Sequence, residues 1–229
     1  MLYFIWFCIL MSAFVAVILL SKYMKNTKLW NSLFVLTIAV CYVALVIEIY
    51  RASGPDHWNF SNAMPMANVS PFMFFTAPFL FLLPARIRKY AYVLISGLTV
   101  GMFLSSAVGC LGNFIKGTYF RGFFVLDYIA HFALASWGVY LVKSKQVSLN
   151  IKDCVIGASA LLGVATCMLL LNLVLDTAFF GLSLRGKHNI YNVVLTDNSY
   201  LSALLYYGGV VVVLSLGFGF QRLLNPKKK

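Results

Sequence analysis

The chain has 229 residues, 62% of them hydrophobic and 10% charged, with a mean hydropathy of +0.88. Soluble domains carry about 25% charged and about 45–50% apolar residues, so this balance excludes an ordinary soluble globule, and equally a disordered chain. The 18 Lys and Arg against 6 Asp and Glu give +12. With no basic stripe outside the connecting loops, that excess reads as the loop bias of a membrane protein and not as a nucleic-acid surface.

A transmembrane helix needs about 20 mostly apolar residues. In chain order the sequence offers seven candidates: Leu2–Leu20, Leu29–Tyr50, Ser70–Leu83, Ala91–Val108, Phe120–Val142, Val155–Leu175 and Leu201–Phe220. The first has no basic segment before it and no small-residue cleavage site after it, so it reads as a retained span and not a signal peptide. The third is short and carries Pro71 and Pro78, with Pro84 just beyond it, which predicts a kinked or partly re-entrant helix. The expected fold is a single all-α, polytopic helix bundle of about seven transmembrane helices over residues 1–229, in the cell membrane and in contact with its lipids. No fixed-period repeat and no inverted symmetry is visible.

Loop charges predict the orientation. Lys22, Lys25 and Lys28, then Arg86, Arg88 and Lys89, then Lys143, Lys145 and Lys152, and finally Arg222 and Lys227, Lys228 and Lys229 all fall on one side. Arg51, Lys116, Arg121, Arg185 and Lys187 fall on the other. The positive-inside rule puts the first set in the cytoplasm, the N-terminus outside and the C-terminus inside, which requires an odd number of spans. The closing lysines read as an anchor to anionic lipid. The longest loops, Arg51–Val69 and Asp176–Tyr200, are then both external, and connections of that length are often functional.

Ionisable groups inside a membrane are costly and mark candidate sites. On this topology Glu48, Asp56, Asp127, Asp176 and Asp197 all lie in the outer half, as do His57, His131 and His188, and only Asp153 is cytoplasmic. Asp127 and His131 are spaced i,i+4 and share a helix face. A carboxylate one turn from an imidazole can orient it as a base; the bland alternative is a bundle-holding hydrogen bond or a pair with Arg121. Asn172 and Asp176 have the same spacing, and an intramembrane Asn serves equally as interhelical glue. Glu48 is a candidate binding group, or an interfacial partner of Arg51. The five cysteines, Cys8, Cys41, Cys110, Cys154 and Cys167, show no metal-ligand spacing and read as apolar fillers. Neither a metal nor a cofactor is expected.

Three stretches resemble a known family. Asn62-Ala-Met-Pro65-Met-Ala-Asn68-Val-Ser70-Pro-Phe resembles the Leu-Pro-Leu-x-x-Cys signature of the YwaF-type bacterial membrane proteins, which belong with the eukaryotic transmembrane protein 164 family. Phe123-Phe-Val-Leu-Asp127-Tyr-Ile-Ala-His131 is similar to that family's aromatic-rich helix carrying a His. Asn172-Leu-Val-Leu175-Asp-Thr177-Ala-Phe179-Phe resembles its Asn-x-x-Leu-Gly-Thr-Asn-Tyr motif. The resemblance covers roughly residues 30–220 and implies an acyltransferase or hydrolase acting on lipid acyl chains. His131 matches the family's His. The place of its Cys falls on Asn68, Val69 or Ser70, and the Asn-Tyr after Thr177 is replaced by Ala178-Phe179.

Three functions stay open on these residues. In an acyl-transfer enzyme Ser70 is the nucleophile, His131 the base and Asp127 its orienter, with Asn68 or Asn172 polarising the carbonyl. In a binding or transport protein Asn68, Asn172, Asp176 and Glu48 take a small ligand from outside. In a scaffold the same groups are packing glue. Substrate and oligomeric state are not legible.

Overall fold

A computed structural model of the chain describes residues 1–53, 68–117, 119, 121–175, 179–182 and 199–225. Among them all regular structure is helical: α1 (Leu2–Leu20), α2 (Thr27–Ser53), α3 (Val69–Thr76), α4 (Ala85–Ile115), α5 (Gly122–Lys143), α6 (Ile151–Leu175) and α7 (Ser199–Leu224). Six of these are long and apolar enough to cross a membrane. The chain is a multi-pass membrane protein built as a helix bundle. The loop residues Asp56, His57, His188 and Asp197 lie outside the described residues, as does Asp176.

The proline-marked third segment is short, as its sequence predicts. Pro78 has no N–H, and its ring crowds the carbonyl four residues back, so the α ladder cannot continue through it. The chain tightens there into a 3-10 helix, Ala77–Leu82, and Leu83 ahead of Pro84 is extended at ψ 143°. Eight α residues and six 3-10 residues advance the chain about 24 Å, most of a hydrocarbon core of about 30 Å. The fourth helix begins at Ala85, well before the expected Ala91. Hydropathy marks where a helix enters lipid, whereas the helix itself runs on through Arg86, Arg88 and Lys89, whose long stems reach the interface.

Side-chain contacts fix the direction of each pass. At one end the Tyr140 hydroxyl donates to Met24 O (3.0 Å), Lys143 Nζ donates to Leu224 O (3.0 Å) and Lys89 pairs with Asp153 (2.6 Å). This lysine-rich end therefore gathers the α1–α2 turn, the start of α4, the α5–α6 connection and the end of α7. At the other end the Tyr3 hydroxyl accepts from Arg121 N (3.0 Å) and donates to Tyr119 O (3.2 Å), tying the start of α1 to the α4–α5 connection. Glu48, Asp127 and Asn172 lie toward this second end, where α2 and α6 finish and α5 starts.

The bundle is layered around two helices. Of α5's membrane-length stretch 78% is buried and of α4's 61%, against 17–28% for α1, α2, α6 and α7. Helix α5 lies between α1 and α2, with α4 on its remaining side and α6 and α7 beyond α4. Apolar matching gives no preference between a neighbour helix and lipid, so close approach of backbones and polar contacts decide the packing. Ser96 Oγ donates to Gly138 O (3.3 Å) and Ser106 Oγ to Tyr128 O (3.0 Å), joining α4 to α5. Trp137 Nε1 donates to Asn31 Oδ1 (2.9 Å), joining α2 to α5, and Asn31 Nδ2 donates to Gln146 Oε1 (2.6 Å) in the α5–α6 connection. Between α4 and α7 the spacing Gly97-x-x-x-Gly101 meets Gly217 and Val213. A Cβ on Gly217 would fall on the Gly97 carbonyl oxygen, so the two backbones touch there.

Candidate functional site

Helix α3 touches several of the elements that meet at the acid-bearing end. It packs on α2 and α5, and its four-residue turns present different neighbours in succession. Phe74, fully buried, meets the His131 ring edge-on at 4.9 Å and Tyr42 of α2 at 6.3 Å. Phe72 meets Phe180 at 5.6 Å. Asn68 caps the helix, its side chain accepting from Val69 N at 2.9 Å.

The i,i+4 reading of Asp127 and His131 is realised as a contact. His131 Nδ1 donates to the Asp127 backbone carbonyl at 2.8 Å, with the Asp127 carboxylate at 3.4 Å from the same nitrogen. That leaves the lone pair on Nε2. The imidazole is 4% exposed, while the Asp127 side chain is 34% exposed, so the pair runs from the bundle interior toward its edge. Ser70, half-buried, lies one turn from Phe74 toward the same end as Asp127 lies from His131. The two helices run in the same direction, so Ser70 and Asp127 sit at one level.

The remaining candidates turn to other partners. Asn172 is 3% exposed, and its amide holds a short 3-10 turn, Phe179–Gly181, beside the end of α6. Nδ2 donates to Phe179 O (2.9 Å) and to Leu182 O, while Oδ1 accepts from Phe179 N (2.7 Å). Phe180 inside this turn is at φ 58°, a left-handed conformation that a non-glycine residue adopts at a cost. Glu48 is 46% exposed and pairs with Arg51 one turn on at 3.1 Å, both at the surface end of α2. Among the described residues no group of three or more His, Cys, Asp and Glu is placed to hold a metal ion.

Beside α3 a cleft of about 320 Å³ runs between α4, α6 and α7. Asn68 and the buried Tyr206 are its polar lining, and the rest is apolar, with Leu98, Met102, Leu161 and Val210 among them. It exists because α6 and α7 both pack on α4 and only lightly on each other, and because Gly209 presents no side chain to it. A Cβ added at Gly209 meets nothing within 4 Å. From Leu205 to Val213 along α7 the cleft is about 12 Å deep. Of the candidate residues it takes Asn68 alone; His131 and Asp127 are on the α5 side of α3. Sequence reading missed Tyr206 and Gly209. The Gly97-x-x-x-Gly101 spacing was the available signal, since small residues at that interval mark a close helix crossing.

Comparison with family models, with curated proteins and with solved structures finds no match to this chain.

Proposed function

We infer that this multi-pass membrane protein binds an amphipathic, lipid-like molecule at its acid-bearing end, which the loop charges assign to the outer side. The observation that carries the reading is the cleft: about 320 Å³ with a mostly apolar wall and two polar side chains, Asn68 and Tyr206, in its lining. Ligand sites are commonly apolar cavities of about 300–1,000 Å³ with a few polar groups that fix orientation. A cleft between lightly packed helices also admits a chain sideways from the bilayer. Photocrosslinking with a diazirine-bearing fatty acid tests it. Wild-type protein is expected to concentrate label on the Leu205–Val213 peptide, and Gly209→Leu, which adds a side chain to the cleft lining where a Cβ meets nothing within 4 Å, is expected to lose that label. Equal labelling of all lipid-facing helices, unchanged in Gly209→Leu, would refute it.

A second reading, ester cleavage or acyl transfer on such a lipid, draws on the resemblance to the YwaF-type and transmembrane protein 164 proteins. It is favoured by the Asp127–His131 contact and by Ser70 lying on the neighbouring helix at the level of Asp127, one turn from the Phe74–His131 contact. Ser70 Oγ would add to the ester carbonyl and give its proton to His131 Nε2. The alcohol would leave with that proton, and water or a second alcohol would take the acyl group by the reverse path. A fluorophosphonate probe that labels wild type and spares Ser70→Ala is the expected result; equal labelling of both would end this reading.

A further inference from the structure

At the lysine-rich end a larger cavity, about 760 Å³, opens between the last turn of α5, the 144–150 connection, the first turn of α6 and the last turn of α7. The connection is held in shape by the end of α5. Lys145 is left-handed at φ 60°, and Gln146 N and Lys145 N donate back to Leu141 O and Val142 O, each at 3.0 Å. The polar wall is Ser148, Asn150, Gln221, Arg222 and Asn225, and Val142, Val147, Leu149 and Ile151 complete it.

Two groups in that wall have unspent capacity of opposite kinds. Arg222 has no carboxylate partner among the described residues and reaches only Leu149 O, at 3.4 Å. The neighbouring acid is already taken: Asp153 Oδ2 pairs with Lys89 (2.6 Å) and accepts from Asn150 (2.6 Å). Gln221 is fully buried; its Nε2 donates to Thr99 Oγ1 (2.9 Å), and its Oε1 finds no donor among the described residues. Buried acceptors are nearly always satisfied, so an unsatisfied one in a cavity wall asks for a donor. The cavity thus offers a guanidinium to an anion and a carbonyl oxygen to a hydrogen-bond donor.

We propose that this cavity is a headgroup site for a phosphate ester that also carries a hydrogen-bond donor, supplied by a membrane phospholipid with a glycerol or ethanolamine headgroup. The phosphate pairs with Arg222, and the hydroxyl or ammonium donates to Gln221 Oε1. Choline has no N–H or O–H and cannot make the second contact. The aliphatic part of the wall suits the start of the acyl chains, and the surrounding lysines mark the depth of a bilayer interface, where basic pockets between helices bind lipid headgroups. The site is independent of the outer cleft and of any activity there.

Thermal unfolding of the full chain in detergent, titrated with single lipids, tests the assignment. Phosphatidylglycerol and phosphatidylethanolamine are expected to raise Tm, with phosphatidylcholine well behind. Arg222→Gln is expected to weaken the phosphatidylglycerol response at least about tenfold, and Gln221→Leu to erase the preference over phosphatidylcholine; if Gln221→Leu does not fold, Asn225→Ala is expected to weaken the response in its place. Equal stabilisation by all three lipids, or a response untouched in Arg222→Gln, overturns the site. The same stabilisation by glycerol 3-phosphate without lipid, abolished in Arg222→Gln, overturns the membrane source in favour of a soluble phosphate.

Discussion

Asn172 offers the sharpest test of how the acid-bearing end is built. Among the described residues its amide makes three hydrogen bonds to the backbone of a turn in which Phe180 and Leu182 are fully buried. Asn172→Leu keeps the volume and removes all three, leaving Phe179 N–H, Phe179 O and Leu182 O without their partner. A neutral hydrogen bond contributes about 1 kcal/mol net, and polar contacts inside membrane proteins average somewhat less, so the loss is about 2–3 kcal/mol. For a chain of this size 1 kcal/mol moves Tm by about 2–4 °C, which gives a fall of about 4–12 °C by thermal unfolding in detergent. Asn172→Asp keeps an acceptor for Phe179 N–H but turns an anionic oxygen toward two carbonyls, so it is expected to be worse than Leu at neutral pH. Protonating that carboxyl restores one donor, so the Asp variant alone regains stability as pH falls. An Asn172→Leu protein melting within about 2 °C of wild type would refute the stitching role.

Two further outcomes test the α4–α7 contact and the orientation assigned by loop charge. Gly217→Ala places a methyl on the Gly97 carbonyl oxygen and is expected to cost about 1–3 kcal/mol of stability by overpacking, whereas Gly219→Ala, whose Cβ meets nothing within 4 Å, is expected to leave Tm unchanged; equal Tm values for both would refute the α4–α7 contact. An impermeant maleimide applied from outside is expected to modify a cysteine placed at residue 56 or 188 and to spare one at 25 or 145. The opposite pattern would invert the bundle in the membrane and move the cleft to the cytoplasmic side.

The passes of the bundle were legible because hydropathy and loop charge act locally. Lys22 to Lys28, Arg86 to Lys89 and Lys143 to Lys152 each mark a turn at the same end, and the contacts of Tyr140, Lys143 and Lys89 gather those turns. Which helices form the centre was not read from the spans, since α5 is the least hydropathic of the six long helices and the most buried. Its polar and small residues, His131, Ser136 and Gly138, are sheltered from lipid, which inverts the intuition carried over from soluble cores. The Asp127–His131 spacing translated directly into a contact because both lie on one helix. Asn172 did not reveal its partners, because they are the backbone of a chain reversal seven to ten residues on, and backbone acceptors leave no mark in a sequence.

The placement of α1 and α2 has a consequence for how the chain is assembled. They are joined through a short turn yet barely touch, because both lie against α5, which starts at Gly122. As synthesis proceeds from the N-terminus, α1 waits for its packing partners among the described helices, α4 and α5, while α2 has only the short α3 until α5 arrives. The Asn31 amide that later receives Trp137 spends that interval unmatched in or near hydrocarbon. The α4–α5 hairpin is thus the point in the chain at which the first helices gain most of their packing partners.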